Sequence, residues 1–226
     1  MNLTRQKLLQ AAAATFSEHG AAATSARSIA TRAGVNQALV FYHFGTVSEL
    51  IAAACQDRLD EAVEQYRTQF SAVSSLSELL AVGRELNVRE REVGNVVLMA
   101  QLMASAAHDP VLAGAARHGM DLWTAEIEAV LRRVLRGSPL TEITDIAGLA
   151  RMVCASFIGL ELYEGADADG ASRALEALDR LAVLVEVVDD LGPVARRALK
   201  AKLNRAPTGA KAAPRRRPAT AGKAEP

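Results

Sequence analysis

Aromatic residues are scarce in this sequence of 226 residues, since Phe, Trp and Tyr together make up only 4% of it. Cysteine is scarcer still: Cys55 and Cys154 are the only two, and neither lies at the spacing of a zinc site or a disulfide framework. Alternating runs of β-branched residues are missing as well, so the sequence predicts no strand. Half of the residues are apolar. We therefore expect an all-α fold with two buried thiols, no metal and no cofactor.

Long apolar runs are also absent, because no segment approaches the roughly 20 apolar residues of a membrane span. The apolar stretch near the N-terminus is short and continues into a helical pattern, which predicts a helix and not a signal peptide. We therefore expect a cytoplasmic protein with no membrane partner. There is no suggestive Ser/His/Asp set and no glycine-rich phosphate loop. The sequence thus assigns no catalytic residue and does not indicate an enzyme.

Charge is balanced overall but unevenly distributed. Residues 1–50 carry a net charge of +2 and residues 205–226 carry +5, which leaves −7 for residues 51–204. A polyanionic partner is expected to meet the basic ends. The last segment, 205–226, is rich in Ala, Pro and Arg and cannot bury enough apolar surface to fold, so we predict a disordered basic tail.

Helical spacing of apolar residues accounts for most of the remaining chain. Two S/T-x-x-E capping boxes, Thr46–Glu49 and Ser75–Glu78, predict helix starts, and Pro110 suits the first turn of another helix. The predicted helices are 5–19, 26–32, 37–43, 46–70, 76–92, 94–107, 110–136, 145–164, 172–191 and 193–204.

Two short predicted helices follow a longer one and are joined by a glycine turn, an order typical of a helix-turn-helix. On the second short helix, Val40 and Phe44 share an inward face. Gln37, Tyr42 and His43 are then turned outward. Gln can pair with adenine through two hydrogen bonds, and Tyr and His can donate to phosphate. This pattern predicts a DNA-contacting helix.

At these residues the sequence resembles the tetracycline-repressor (TetR) family of bacterial transcription regulators. The resemblance covers about residues 2–62 and rests on the segments TRQKLLQAAAATFSEHG, TSARSIATRAGVNQALVFYHF and ELIAAA. It implies a helix-turn-helix DNA-binding domain over 2–62 and an all-helical dimerisation and ligand-binding domain over 63–204. It further implies a homodimeric repressor that a small-molecule effector releases from a double-stranded DNA operator.

The resemblance also implies roles for individual residues. Arg27 lies where the family often contacts a base or phosphate, and Gln37 lies at the position most used to contact a base edge. Ser25 and Thr46 occupy helix starts, whose N–H groups and hydroxyls usually meet phosphate. The full predicted DNA-binding set is Ser25, Arg27, Asn36, Gln37, Tyr42, His43 and Thr46.

Three positions depart from the family pattern. Ala38 stands where Gly is frequent, and the other two positions concern phosphate contacts. Phe41 stands where a phosphate-binding Tyr is common, and Val47 stands where a phosphate-binding Lys is common. We expect these two departures to weaken sequence-independent DNA binding, with Tyr42 or the basic tail as partial substitutes.

The predicted helix 172–191 has an apolar stripe, and three further apolar residues widen it. The stripe is Leu175, Leu178, Leu181, Ala182, Val185 and Val188, and the widening residues are Leu184, Val187 and Leu191. The apolar arc is about half of the circumference, more than the roughly 100° that a surface helix needs. Helix 145–164 is similar. Both patterns favour a dimer interface, although two interior helices of a monomer would show the same pattern.

Five residues in the helices of the second domain are candidates for a ligand pocket, although Met and Trp at helical spacing are also common in cores. They are Met99, Met103, Trp123, Met152 and Phe157.

Two DNA-binding functions therefore remain open. A ligand-responsive regulator would prefer one operator sequence, whereas an architectural DNA-binding protein would bind any duplex with similar affinity.

Overall fold

A computed structural model of the chain describes residues 3–138, 141, 144–189 and 192–203. The regular secondary structure in these ranges is helical, and no strand occurs there, which confirms the predicted all-α class. The helices are α1 (Leu3–Ala23), α2 (Ala26–Ala33), α3 (Ala38–Phe44), α4 (Val47–Ala72), α5 (Leu76–Val93), α6 (Asn95–Ser105), α7 (Pro110–Val134), α8 (Ile146–Glu164), α9 (Ala168–Asp189) and α10 (Pro193–Leu203).

The chain divides into two compact units, residues 1–190 and residues 191–226. Helix α10 is the part of the second unit that contains described regular structure. The predicted basic tail, 205–226, lies outside the described residues.

Helix ends differ from the predicted ones where a cap was missed. Helix α9 begins at Ala168 and not at residue 172, because Asp167 accepts a hydrogen bond from the Gly170 N–H at 2.9 Å. Helix α1 runs beyond residue 19, but Gly20 has a φ of 69° and kinks it there.

The predicted cap of α5 is present. The Ser75 hydroxyl oxygen accepts a hydrogen bond from the Glu78 N–H at 3.1 Å. The Glu78 carboxylate reaches back to Ser74, one residue before the expected partner.

Two apolar cores lie along the first unit, and α4 contributes to both. Leu50 and Ile51, early in α4, belong to a core with α1, α2 and α3 that also includes Leu98 of α6 and Leu112 of α7. Later in α4, Tyr66 belongs to a core with α5, α7 and α8. A helix of this length extends about 39 Å at roughly 1.5 Å per residue. It therefore forms a continuous connection between the two cores, and the predicted boundary near residue 62 falls inside it.

Among the described residues, α8 is long and apolar enough to cross a membrane, and the bent pair α3–α4 would pass the same test as one broken span. The expectation that no segment has this composition was therefore wrong for α8. Its inner face nevertheless carries Cys154 into the second core and also buries Glu161. Length and composition do not distinguish a membrane span from a helix that packs in this way.

One polar contact connects the start of α4 to the start of α7. The Ser48 hydroxyl donates to Asp109 Oδ2 at 2.6 Å. The other carboxylate oxygen, Asp109 Oδ1, accepts from the N–H groups of Val111 and Leu112 at 2.8 and 3.2 Å. The Ser48 hydrogen bond and the two N–H donors lower the pKa of Asp109. The carboxylate thus caps α7 and also holds it against α4.

Replacing this cap should lower stability measurably. We expect Asp109→Ala to reduce the free energy of unfolding by about 1–2 kcal/mol at pH 7, because two N–H groups lose their acceptor. The pKa of Asp109 is lowered by folding, so its contribution is full above the unfolded pKa and disappears as pH falls through the folded pKa. Urea titrations should therefore show the two proteins converging in acid. Asp57→Ala, at an exposed position of α4, is the control, and an equal loss in both variants would contradict the assignment.

Candidate nucleic-acid interface and ligand cavity

Helix α2 begins with a reciprocal cap. The Ser25 hydroxyl oxygen accepts from the Ser28 N–H at 3.1 Å, and the Ser28 oxygen accepts from the Ser25 N–H at 2.9 Å. The predicted contact residue Ser25 is exposed, but its oxygen is already engaged in this cap. The first backbone N–H groups of α2 are therefore the stronger candidate donors to an anion.

The turn between α2 and α3 depends on Gly34. Its backbone is left-handed, with φ 65° and ψ 37°, and its N–H donates to the Thr31 carbonyl at 3.2 Å. The Val35 N–H donates to the Ala30 carbonyl at 3.0 Å. These two bonds end α2 and turn the chain into α3.

Helix α3 begins at Ala38, one residue later than predicted. The Asn36 side-chain oxygen accepts from the Ala38 N–H at 2.8 Å and so organises the start of the helix. Its amide NH₂ group stays available as a donor. Gln37 precedes the first turn and is exposed.

The outer face of α3 combines polar and aromatic side chains. Val40 is fully buried, as predicted, and Phe44 packs partly against the first core, with the Arg5 guanidinium 5.1 Å from its ring centroid. Tyr42 is 81% exposed. His43 is half-buried and contacts Tyr42 edge to face at 4.9 Å, so it is less outward than predicted.

Phe41 is an outward residue that the predicted set omitted. It is 49% exposed on α3, although large apolar side chains are usually buried. The helical period could have revealed it, because residues 38, 41, 42 and 45 fall near one face.

The two arginines of α2 differ in their surroundings. The Arg32 guanidinium is bound by both carboxylate oxygens of Glu18, with one of the two bonds at 2.8 Å. Arg27 is exposed and forms no ion pair with any described residue. Arg27 is therefore the free cation of this helix.

Thr46 caps α4, and its oxygen accepts from the Glu49 N–H at 3.1 Å. Its hydroxyl donates to Glu49 Oε2 at 2.8 Å. In the predicted capping box the carboxylate reaches the backbone N–H of Thr46, but in the structure that N–H donates to the Phe44 carbonyl. Glu49 thus places a negative charge beside a predicted phosphate contact.

A cavity of about 180 Å³ lies among α4, α5, α6, α7, α8 and α9. Four of the five predicted pocket residues, Met99, Trp123, Met152 and Phe157, are in its lining. Met103 is not in that lining: it lies one turn beyond Met99, near the end of α6, and is exposed.

Polar residues that the sequence analysis did not select also line this cavity, among them Glu90, Asn95 and Glu161. Burial raises the pKa of Glu161 to about 7, against the opposing effect of Arg91. Charged residues on a helix usually face solvent, so periodicity gave no signal for them. Among the described residues, no three His, Cys, Asp or Glu side chains are grouped closely enough to hold a metal ion.

The geometry of α2 and α3 defines a helix-turn-helix protein, a class in which the second helix enters the major groove of DNA. Residues 8–54 match the family of bacterial regulatory proteins described as the tetR family. Over 46 residues the chain is 56% identical to the HTH-type transcriptional repressor Rv3405c of Mycobacterium tuberculosis (strain ATCC 25618 / H37Rv), a match covering 20% of this chain and 24% of that protein. The chain thus spans about a quarter of the length of this curated relative.

Solved structures share the fold over a longer range. A TetR-family transcriptional regulator from Rhodococcus sp. superimposes with a TM-score of 0.66 at 21% identity, over 82% of this chain and 99% of that one. The multidrug binding protein EbrR, solved with imidazole, gives a TM-score of 0.56 at 24% identity, over 79% and 94%. Residues 8–54 are therefore similar to the tetR family of bacterial regulatory proteins, and the solved structures share the fold over most of the chain.

The left-handed turn can be tested with one substitution made at two glycines. A Cβ at Gly34 would meet no atom within 4 Å, so Gly34→Ala should cost only the left-handed backbone strain of about 1–2 kcal/mol. Gly114 also has space around it but lies inside α7, where Ala is favoured by roughly 0.5–1 kcal/mol. Chemical unfolding should therefore show opposite signs for Gly34→Ala and Gly114→Ala. The same sign in both would argue against the turn geometry.

Proposed function

We propose that this chain is a sequence-specific DNA-binding transcriptional repressor that acts in the cytoplasm as a homodimer and leaves its operator when a small molecule binds. The observation that carries the proposal is a set of exposed polar side chains on the helix-turn-helix: Gln37 just before α3, Tyr42 on α3 and Arg27 on α2. A helix with polar donors on one face and Val40 in the core suits insertion into a major groove. No catalytic activity is part of this proposal.

The DNA contacts follow from the position of each donor. Gln37 precedes the first turn of α3, where side chains of a recognition helix contact base edges. Arg27 supplies charge from α2, and Tyr42 supplies a hydroxyl. Ser25 and Thr46 mainly fix the starts of α2 and α4, whose free N–H groups and helix dipoles attract phosphate. Asn36 adds an amide donor, whereas half-buried His43 is the weakest candidate for a direct contact.

The dimer is proposed to form through the outer faces of α8 and α9. Leu162 and Tyr163 on α8 and Leu181 and Leu184 on α9 are all more than half exposed. A second copy of the chain is the occupant we propose, because a two-fold operator requires two recognition helices in fixed relation. This arrangement explains the wide apolar arc of α9, which has one side in its own core and the other free for a partner.

The exposed residues of α9 are not the whole of the predicted stripe, and the proposed interface is limited to the exposed ones. Leu175 and Leu178, predicted in the apolar stripe, line the cavity, and Ala182 is buried. Leu181, from the same predicted stripe, is exposed together with Leu184 and Val187. Val188 and Leu191 are not among the side chains that the structure describes.

The small molecule is proposed to occupy the cavity among α4 to α9. EbrR, which shares the fold, is named as a multidrug binding protein and was solved with imidazole. Leu59 of α4 lines the cavity, while Leu50 and Ile51 of the same helix pack in the core beneath α3. A ligand that shifts α4 would therefore also move α3, which packs on it. The distance between the two recognition helices of the dimer would then no longer match the distance between the operator half-sites.

Gln37→Ala tests the base contact. We expect it to weaken binding to the preferred operator by about 1–3 kcal/mol and to relax base preference at one position per half-site. Fluorescence anisotropy with duplexes selected from a random library gives both quantities. Gln65→Ala, exposed on α4 in the second half of the helix, is the matched control. Equal affinity of the wild type for selected and scrambled duplexes would favour an architectural role instead.

Leu181→Glu combined with Leu184→Glu tests the dimer. Four carboxylates at a two-fold interface are costly when unpaired, so the variant should sediment as a monomer, keep its helical circular dichroism and lose tight operator binding. Val88→Glu, which alters another exposed apolar residue on α5, should stay dimeric. A dimeric double variant would show that another surface forms the interface.

A further inference from the structure

The walls of the cavity are mainly apolar, but one group of residues in its lining is not. Met99, Met120, Trp123 and Phe157 are among the apolar lining residues. Glu90 at the end of α5, Asn95 at the start of α6 and Glu161 of α8 are polar lining residues, and each is more than 90% buried. A ligand in this cavity would therefore meet both apolar surface and buried polar atoms.

Hydrogen-bond partners are missing for two of these polar atoms. Both oxygens of Glu90 are engaged, one by the Tyr66 hydroxyl at 2.9 Å and the other by the Asn95 amide at 2.6 Å. Asn95 Oδ1 and Glu161 Oε1 are buried without a hydrogen-bond partner among the described residues. A buried polar atom without a partner costs about 1–3 kcal/mol. Asn95 Oδ1 is an acceptor, and so is Glu161 Oε1 when its carboxyl is ionised, so the partner that both atoms lack is a donor.

The charges around Glu161 favour a cationic donor. Arg91 lies 3.7 Å from Glu161 Oε2, but both carboxylate oxygens of Glu164 bind its guanidinium. Glu90 adds a second carboxyl to the lining, and it acts on Glu161 as a like charge. Helix α7 contributes no charged side chain to the lining. Asp179 of α9 also lines the cavity, but it is already paired with Arg84 of α5.

We propose, on the basis of the ligand-responsive function above, that the effector is an amphipathic organic cation. Its apolar body packs against Met99, Trp123 and Phe157, and its ammonium or amidinium group donates to Glu161 Oε1 and Asn95 Oδ1. A cation satisfies both orphan acceptors and neutralises the buried carboxylate, whereas a neutral or anionic ligand leaves that charge uncompensated.

The proposal predicts that the affinity for a cationic ligand increases with pH. Burial raises the pKa of Glu161 to about 7, so the free carboxyl is partly protonated near neutral pH. A bound cation favours the charged form and lowers that pKa. Affinity for a cation should therefore rise between pH 5.5 and pH 8.5. An anionic ligand that accepted a hydrogen bond from protonated Glu161 would show the opposite trend.

The experiment uses three probes with the same phenylbutyl body: 4-phenylbutylamine, 4-phenylbutanol and 4-phenylbutyrate. Trp123 is the only tryptophan of the chain and lines the cavity, so its fluorescence in the full-length protein without DNA reports occupancy. At pH 8.0 we expect the amine to bind about tenfold more tightly than the alcohol, from one charge-assisted hydrogen bond. Only the amine should gain affinity as pH rises.

Glu161→Gln should remove the pH dependence and most of the preference for the amine, while affinity for the alcohol stays the same. Glu61→Gln, exposed on α4 and outside the lining, should behave like the wild type. If Glu161→Gln does not fold, the pH series of the wild type decides alone. Stronger binding of the alcohol or the butyrate, or no change in Trp123 fluorescence with any probe, would overturn the proposal. Binding of the amine by a protein that selects no operator would instead refute only the repressor function.

Discussion

Helix α4 is the element on which the rest of this molecule depends, because one rigid rod is buried in two cores. Leu50 and Ile51 hold it beneath the helix-turn-helix, and Tyr66 and Phe70 hold it in the core beside the cavity. Burying a side chain of this size stabilises the fold by roughly 1.5–3 kcal/mol. Both cores therefore depend on α4 for their stability, and we expect a displacement at one end of the helix to move the other end. The Ser48–Asp109 hydrogen bond adds a second connection, from the start of α4 to the start of α7.

The cavity differs from an ordinary gap in a core because its polar groups are incompletely satisfied. Native proteins rarely leave buried acceptors without partners, and each such group calls for an explanation, such as a function, a water or an ion. Glu90 shows how a carboxyl is accommodated in this interior, since Tyr66 and Asn95 occupy both of its oxygens. Glu161 lacks that arrangement, and its nearest cation is already held by Glu164. The same apolar surroundings that raise its pKa would strengthen its attraction to a bound cation.

Helices α8 and α9 are apolar on two sides for two different reasons. Their inner sides, with Cys154 and Ala182, complete the second core and the cavity wall. Their outer sides carry exposed Leu, Tyr and Val residues, a pattern that marks interaction surfaces on folded proteins. A dimer interface on the outer side, as proposed above, would account for the membrane-like composition of α8, since few positions on the helix would be left for charged residues.

Local features of the amino-acid sequence were sufficient for much of this description. Most of the helices, the caps at Thr46 and Ser75, and the turn at Gly34 depend on residues within a few positions of one another, so the local sequence predicted them. Val40 inside and Tyr42 outside followed from the helical period. The period does not say which neighbour a face meets, however. The inward position of Leu178 and the exposure of Leu181 depend on helices distant in the chain. Glu161 is the clearest case: a charged residue on a helix indicates solvent, and only the packing of α5, α6 and α8 around it turned the residue into a buried acceptor.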